Sequence, residues 1–245
     1  MAVIMRLYDQ ARNQKGNVLW FILITIALFG ALAAVISRNS SSVNQSGNIE
    51  KARIAAAALL RHSKSVENTV QKMILNGVSE SDLDFVAISA NHDNPNCSAA
   101  ECEVFNVAGG GIAYKSPAKI INNSSYSGNW LVSSQNLVYQ QGCDALSSSC
   151  TELLLLAADI PKSVCLQVNA ILKTTNPNSD APQQQEILDD DEFAGVYSST
   201  INSQFIGGTN SANESPELNG KSAGCLFEFG SAQNKYYFYQ VLLSR

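Results

Sequence analysis

From Val18 to Ile36 the chain reads VLWFILITIALFGALAAVI, with no charged residue. A helix of about 19 such residues spans roughly 28 Å at ~1.5 Å per residue, close to the hydrocarbon thickness of a bilayer. A secretory signal has a shorter apolar region, about 7–15 residues, ending in a small-x-small cleavage site. Ala31 to Ala34 offers small residues, but Val35 and Ile36 continue the apolar run. The pattern favours a span that is kept, over residues 17–37. The next stretch, NSSSVNQSGN at 39–48, is polar and without periodicity, and predicts a flexible joint over 38–48.

The pattern then turns helical. Ala55, Leu59, His62, Val66, Val70 and Met73 recur at spacings of three and four, which places them on one stripe of a helix over 49–76. Asn48 suits its N-cap and Gly77 its end. Lys51, Arg61, Lys64, Glu67 and Lys72 are assigned to the opposite face. A short second helix is expected from Ser79.

Beyond residue 103 strands are expected. Glu103–Val107 and Ile112–Lys115 flank Gly109-Gly110-Gly111, which suggests a hairpin. Trp130–Val132 and Leu137–Tyr139 are short candidates. Glu152–Ala157 is an unbroken apolar run after one acid, as in a strand buried on both faces. Ile160-Pro161 opens a helix to about Leu172, residues 173–218 read as surface, and strands at 225–229 and 236–243 close the chain. Alternation in the last strand predicts one pair of the rings Tyr236, Tyr237, Phe238 and Tyr239 buried and the other pair exposed as a subunit contact.

Charge and cysteine usage add orientation. Arg6, Arg12 and Lys15 precede the span, which places the N-terminus on the cytoplasmic side. All six cysteines follow residue 96, as suits an oxidising compartment for residues 49–245. Six cysteines allow 15 connectivities. Proximity in sequence suggests Cys97–Cys102, Cys143–Cys150 and the long link Cys165–Cys225. Their spacing matches no CxxC pair, and with two histidines in the chain metal binding by cysteine is not expected. The net charge of −5, with no basic stripe, argues against nucleic acid as a partner.

The opening stretch, with Lys15-Gly16 ahead of the apolar run, resembles the N-terminus of type IV pilins and type II secretion pseudopilins. The resemblance implies a leader, residues 1–16, cut after Gly16 by a prepilin peptidase, so that the mature chain starts at Asn17. It implies that the span is first a membrane anchor and then an assembly helix, with Phe21, Gly30, Ala33 and Ala34 in the packing surface. Small residues there let helix backbones approach closely. It also implies an inner-membrane protein whose partners are other pilin or pseudopilin subunits, and a fold of the α+β class: an amphipathic helix on an antiparallel, disulfide-bonded sheet. The chain departs from the family in carrying Phe21 where most members have glutamate and Asn17 where most have an apolar first residue. Some minor pseudopilins also lack the glutamate, so a minor subunit is the closer match. The other reading is an unprocessed single-pass anchor bearing a periplasmic binding or adhesion domain.

Catalytic machinery is not expected. His62 lies on the apolar stripe, His92 in a polar turn, and no nucleophile has a recognisable base. Gly109–Gly111 lacks the Lys-Ser/Thr of a phosphate loop. Asp189, Asp190 and Asp191 are oxygen donors of the type calcium takes, as is Asp93, but without EF-hand spacing; a solvated acidic loop is the default. No cofactor is expected.

Overall fold

The structure, a computed structural model, describes residues 17–142, 151–185, 191–197, 205–209, 214–230 and 234–245. The chain forms two compact units, residues 1–50 and 51–245.

The first helix, α1, runs Asn17–Leu75. The backbone at 39–48 is therefore helical and not the expected joint. The reason lies in what that stretch lacks: it holds one glycine and no proline. Serine and asparagine cost a helix only about 0.5 kcal/mol each relative to alanine.

In the second unit, α1 supplies one wall of the main core. Ala55, Leu59, Val66, Val70 and Met73 are buried, as the spacing predicts, and so are Ala52 and Ala56, while His62 of the expected stripe is half-buried. Glu67 is buried too, against expectation. Its Oε2 accepts from Gln240 Nε2 and its Oε1 from Lys64 and Gln71, the polar partners that make burial possible.

The elements after α1 are α2 (Pro117–Ile121), β1 (Trp130–Val138), β2 (Glu152–Ala157), α3 (Lys162–Leu172), β3 (Gln183–Gln185), β4 (Phe205–Ile206), β5 (Ala223–Phe229) and β6 (Lys235–Leu243). The fold class is α+β, as expected, but the sheet is mixed, in the order β3-β5-β6-β2-β1-β4. Its four central strands are antiparallel to their neighbours, whereas β3 and β4 join the two edges in parallel.

Strand β2 is central and buried along its length. Leu153, Leu155 and Ala157 face the helices, and Leu154 and Leu156 face the other way. That second face is covered by Ile206 and Leu218, which is why Tyr237 and Tyr239 are buried and not exposed. The expected subunit contact through these rings is thereby overturned. Gly224 lets the cover lie close: a Cβ there would stand 2.8 Å from Leu218 Cδ2 and 2.9 Å from Tyr239 Cε1.

Helix α3 closes the edge of β5 next to Cys225. The Asn169 amide donates to the Cys225 carbonyl and accepts from the Cys225 N–H, each at 2.9 Å, as a neighbouring strand would. Cys165, one turn earlier, is bonded to Cys225. Cys97 is bonded to Cys102. The expected Cys143–Cys150 pair lies outside the described residues.

The expected hairpin at 103–115 does not form. Gly110 N–H donates to the Glu103 carbonyl at 3.0 Å and Gly111 N–H to Asn106 at 2.7 Å, so the chain folds back as consecutive turns. Trp130 to Val138, expected as two strands, is one strand with a register shift between Ser133 and Asn136.

Candidate membrane-spanning and assembly segment

The start of α1 has no polar side. Val18, Leu19, Trp20, Phe21, Ile22 and Leu23 are consecutive and each is more than half exposed. A surface helix of a soluble domain shows an apolar stripe, whereas one apolar all round needs an apolar surrounding. Val18–Val35 has a mean hydropathy of 2.7 and none of it is buried, so by length and composition it is able to cross a membrane. Its hydroxyl is accommodated: Thr25 Oγ1 donates to the Phe21 carbonyl at 2.7 Å, one turn back. An unpaired hydroxyl in hydrocarbon costs several kcal/mol, about 4 or more on cyclohexane scales.

The residues singled out from the sequence take these places. Gly16 lies outside the described residues, and Asn17 opens the helix. Phe21 is 61% exposed and presents only hydrocarbon. Ala27, Gly30 and Ala34 follow one another at spacings of three and four, and a Cβ at Gly30 would meet nothing within 4 Å. Ala33 lies beside them, also exposed. These positions form a shallow strip flanked by large side chains, the shape that admits a second helix closely.

The remaining chemistry-bearing residues have structural surroundings. Asp189 and Asp190 lie outside the described residues. Asp191 is exposed and its Oδ2 accepts from Gln135 Nε2 at 2.9 Å. Among the described residues no group of three or more His, Cys, Asp or Glu is placed to hold a metal ion. His92 is buried, not in an open turn. Its Nδ1 lies 3.3 Å from the Phe193 carbonyl and its Nε2 accepts from the Val132 N–H at 3.4 Å. Only the neutral ring with its proton on Nδ1 fits both contacts. Burial holds its pKa below the ordinary value, against opposing effects from the Phe193 carbonyl, Glu192 and Asp84. The ring of His62 stacks on Trp130, with centroids 6.0 Å apart.

Besides Glu67, the buried acids Asp84 and Glu152 were not legible as such. Asp84 accepts from the Val86 N–H at 2.6 Å and the Asn94 N–H at 2.8 Å, and so holds the 84–94 loop. Glu152 opens β2, with Oε2 accepting from the Val138 N–H at 2.9 Å. Burial pushes its pKa up to about 8, the bonds from Val138 and its own amide opposing in part. An acid at the head of an apolar run reads as a solvated strand end, and only the tertiary fold reveals its burial.

No family model, curated protein or solved structure matches this chain.

Proposed function

We propose that this protein is a structural subunit, a minor pilin or pseudopilin, of a type IV pilus or type II secretion-like filament. The observation that carries this reading is the make-up of α1. Its first turns are apolar on all sides over a membrane-spanning length. Its later turns supply one wall of the core of a disulfide-bonded α+β domain. An anchor that is also an assembly helix needs the first property, and a folded head needs the second. The strip of Ala27, Gly30 and Ala34 suits helix–helix packing in a lipid-like setting.

In this reading a prepilin peptidase cuts after Gly16 on the cytoplasmic side of the inner membrane. The domain over 49–245 faces the periplasm or exterior. The helix from Asn17 packs with those of other pilin or pseudopilin subunits. The role is assembly and not catalysis. Phe21 has no charge to offer a neighbouring amine, which fits a minor position better than the repeated position of a major fibre subunit.

The test is the intact mass and N-terminal sequence of protein extracted from membranes of its native host. A chain starting at Asn17, with an N-methyl group, supports the proposal. A chain starting at Met1 or Ala2 overturns it in favour of an unprocessed anchor bearing a binding or adhesion domain. A start beyond Ala34 makes the apolar run a signal peptide and the domain a released one.

A further inference from the structure

Beside α1 in the second unit lies a recess of about 290 Å³, lined by Ala58, Arg61, His62, Ser65, Lys115, Lys119 and Ile120. Three of these seven residues are cations and none is an acid. The four from α1 follow at spacings of three and four, so they share one flank of the helix. Lys115 stands just before α2, and Lys119 lies within it. None of the three cations forms an ion pair among the described residues, whereas Lys64, one turn from Arg61, is paired with Glu67.

The recess has a fixed wall. The Trp130 indole Nε1 donates to the Lys115 carbonyl at 2.7 Å, and its ring stacks on His62. One buried side chain thus positions both the imidazole and the backbone that carries Lys115. His62 Nε2 is buried and has no hydrogen-bond partner. Burial of a polar nitrogen without a partner is unfavourable by about 1–3 kcal/mol. Burial, and then the charge of Lys115, hold the imidazole below its ordinary pKa.

We propose that this recess is a binding site for a phosphate or sulfate group carried on a small molecule or a lipid. Tetrahedral oxyanions match the planar donor fork of Arg61 and the two ammonium groups. The volume exceeds that of a bare anion, leaving room for part of the group that bears it. Ala58 and Ile120 give that part an apolar surface. The site is independent of the filament proposal, since it uses no residue of the membrane-spanning segment.

The test uses the full chain in detergent micelles, with the His62 imidazole followed by NMR as inorganic phosphate is added. A saturable shift is expected, weakening with ionic strength. In Arg61→Gln, and in a Lys115→Gln/Lys119→Gln double variant, binding should be at least ten-fold weaker while the unfolding temperature is unchanged. The same resonance is followed without phosphate in nanodiscs of phosphatidylcholine, with and without phosphatidic acid. A shift only with phosphatidic acid supports the site and assigns the group to a lipid. A shift with free phosphate that the variants abolish supports a soluble ligand. No saturable shift with either, or a shift that the variants leave unchanged, overturns the proposal.

Discussion

Gln240 Nε2, on β6, donates to Glu67 Oε2, on α1, at 2.7 Å, and both side chains are buried. The partners are 173 residues apart in sequence. Ser63 Oγ adds a bond to Gln240 Oε1 at 3.3 Å, and Gln240 Nε2 also reaches the Ser222 carbonyl at 3.2 Å. Glu67 keeps two ties to the surface, its Oε1 accepting from Lys64 Nζ at 2.5 Å and from Gln71 Nε2 at 3.1 Å. Among the described residues, Ser63 and Glu67, one turn apart, tie the apolar stripe of α1 to Gln240 of the sheet.

Gln240→Ala takes from buried Glu67 Oε2 its bond, and Glu67→Ala leaves Gln240 Nε2 only its longer bonds to the Ser222 and Val241 carbonyls. Glu67→Ala and Gln240→Ala should each destabilise the domain by about 1–3 kcal/mol in denaturant unfolding. Because the two losses share one cause, the double variant should lose less than their sum. Additive losses would show that the bond has no energetic weight.

Glu152 gives the fold a dependence on alkaline pH. Its carboxyl has an ordinary value of 4.5 and is pushed up to about 8 by burial. The folded state thus holds this proton more tightly than the unfolded state. The resulting stability is fully present below pH 4.5 and is lost as pH rises through 8. Wild type should lose unfolding free energy across that window, while Glu152→Gln, which keeps an acceptor for Val138, loses less. At pH 8 to 9 the variant should be the more stable by about 1–3 kcal/mol. Parallel pH profiles for the two proteins would rule out this role.

Glu67 and Glu152 also show where sequence pattern stops informing. The stripe Ala55, Leu59, Val66, Val70 and Met73 was readable because burial follows the helical period, and so was β2, whose apolar run has no exposed face. Both acids sit among these positions, and what permits their burial lies outside the local pattern: Gln240 for Glu67, and the Val138 N–H on the adjacent strand for Glu152. The short edge strands were unreadable for a similar reason. Gln183–Gln185 has no apolar alternation, yet Gln184 is buried, bonded at 3.1 Å to the Gly207 N–H. Its place is set by what covers the second face of the sheet. That cover also hid the fate of Tyr237 and Tyr239, which local alternation alone places together on the exposed face. In the membrane-length segment the reverse holds: length, charge-free composition and a residue-by-residue order of side chains are all properties of the sequence itself.

The glycines at 109–111 separate two accounts of that loop. In a hairpin, a glycine is needed for its positive φ, which only Gly111 has, at 72°. In the observed turns the demand is for close approach at Gly110, where a Cβ would stand 2.1 Å from the Val104 carbonyl oxygen and 2.6 Å from Thr69 Cγ2. Gly111→Ala meets nothing closer than 3.9 Å and should cost about 1–2 kcal/mol from backbone strain alone. Gly110→Ala must move backbone and should cost more, about 3 kcal/mol. Thermal unfolding of the two variants orders them, and a larger loss at Gly111 would reinstate the hairpin.

The two disulfides among the described residues should differ in both energy and reactivity. Cys165–Cys225 closes a separation of 60 residues and Cys97–Cys102 one of 5. Loop-closure entropy then assigns about 4 kcal/mol to the first and about 2 kcal/mol to the second. Cys165 and Cys225 are fully buried beneath α3, while Cys97 and Cys102 are half-buried in surface turns. Thiol–disulfide exchange needs an attacking thiolate to reach the sulfur along its approach line. Mild reductant followed by alkylation should therefore label Cys97 and Cys102 in the native protein. Cys165 and Cys225 should be labelled only as the domain opens, with a denaturant dependence matching global unfolding. The Cys165→Ala/Cys225→Ala variant should lower the unfolding temperature more than Cys97→Ala/Cys102→Ala. Early labelling of Cys165 in the native state would mean that α3 detaches on its own, and that the Asn169 bonds to the edge of β5 do not hold it.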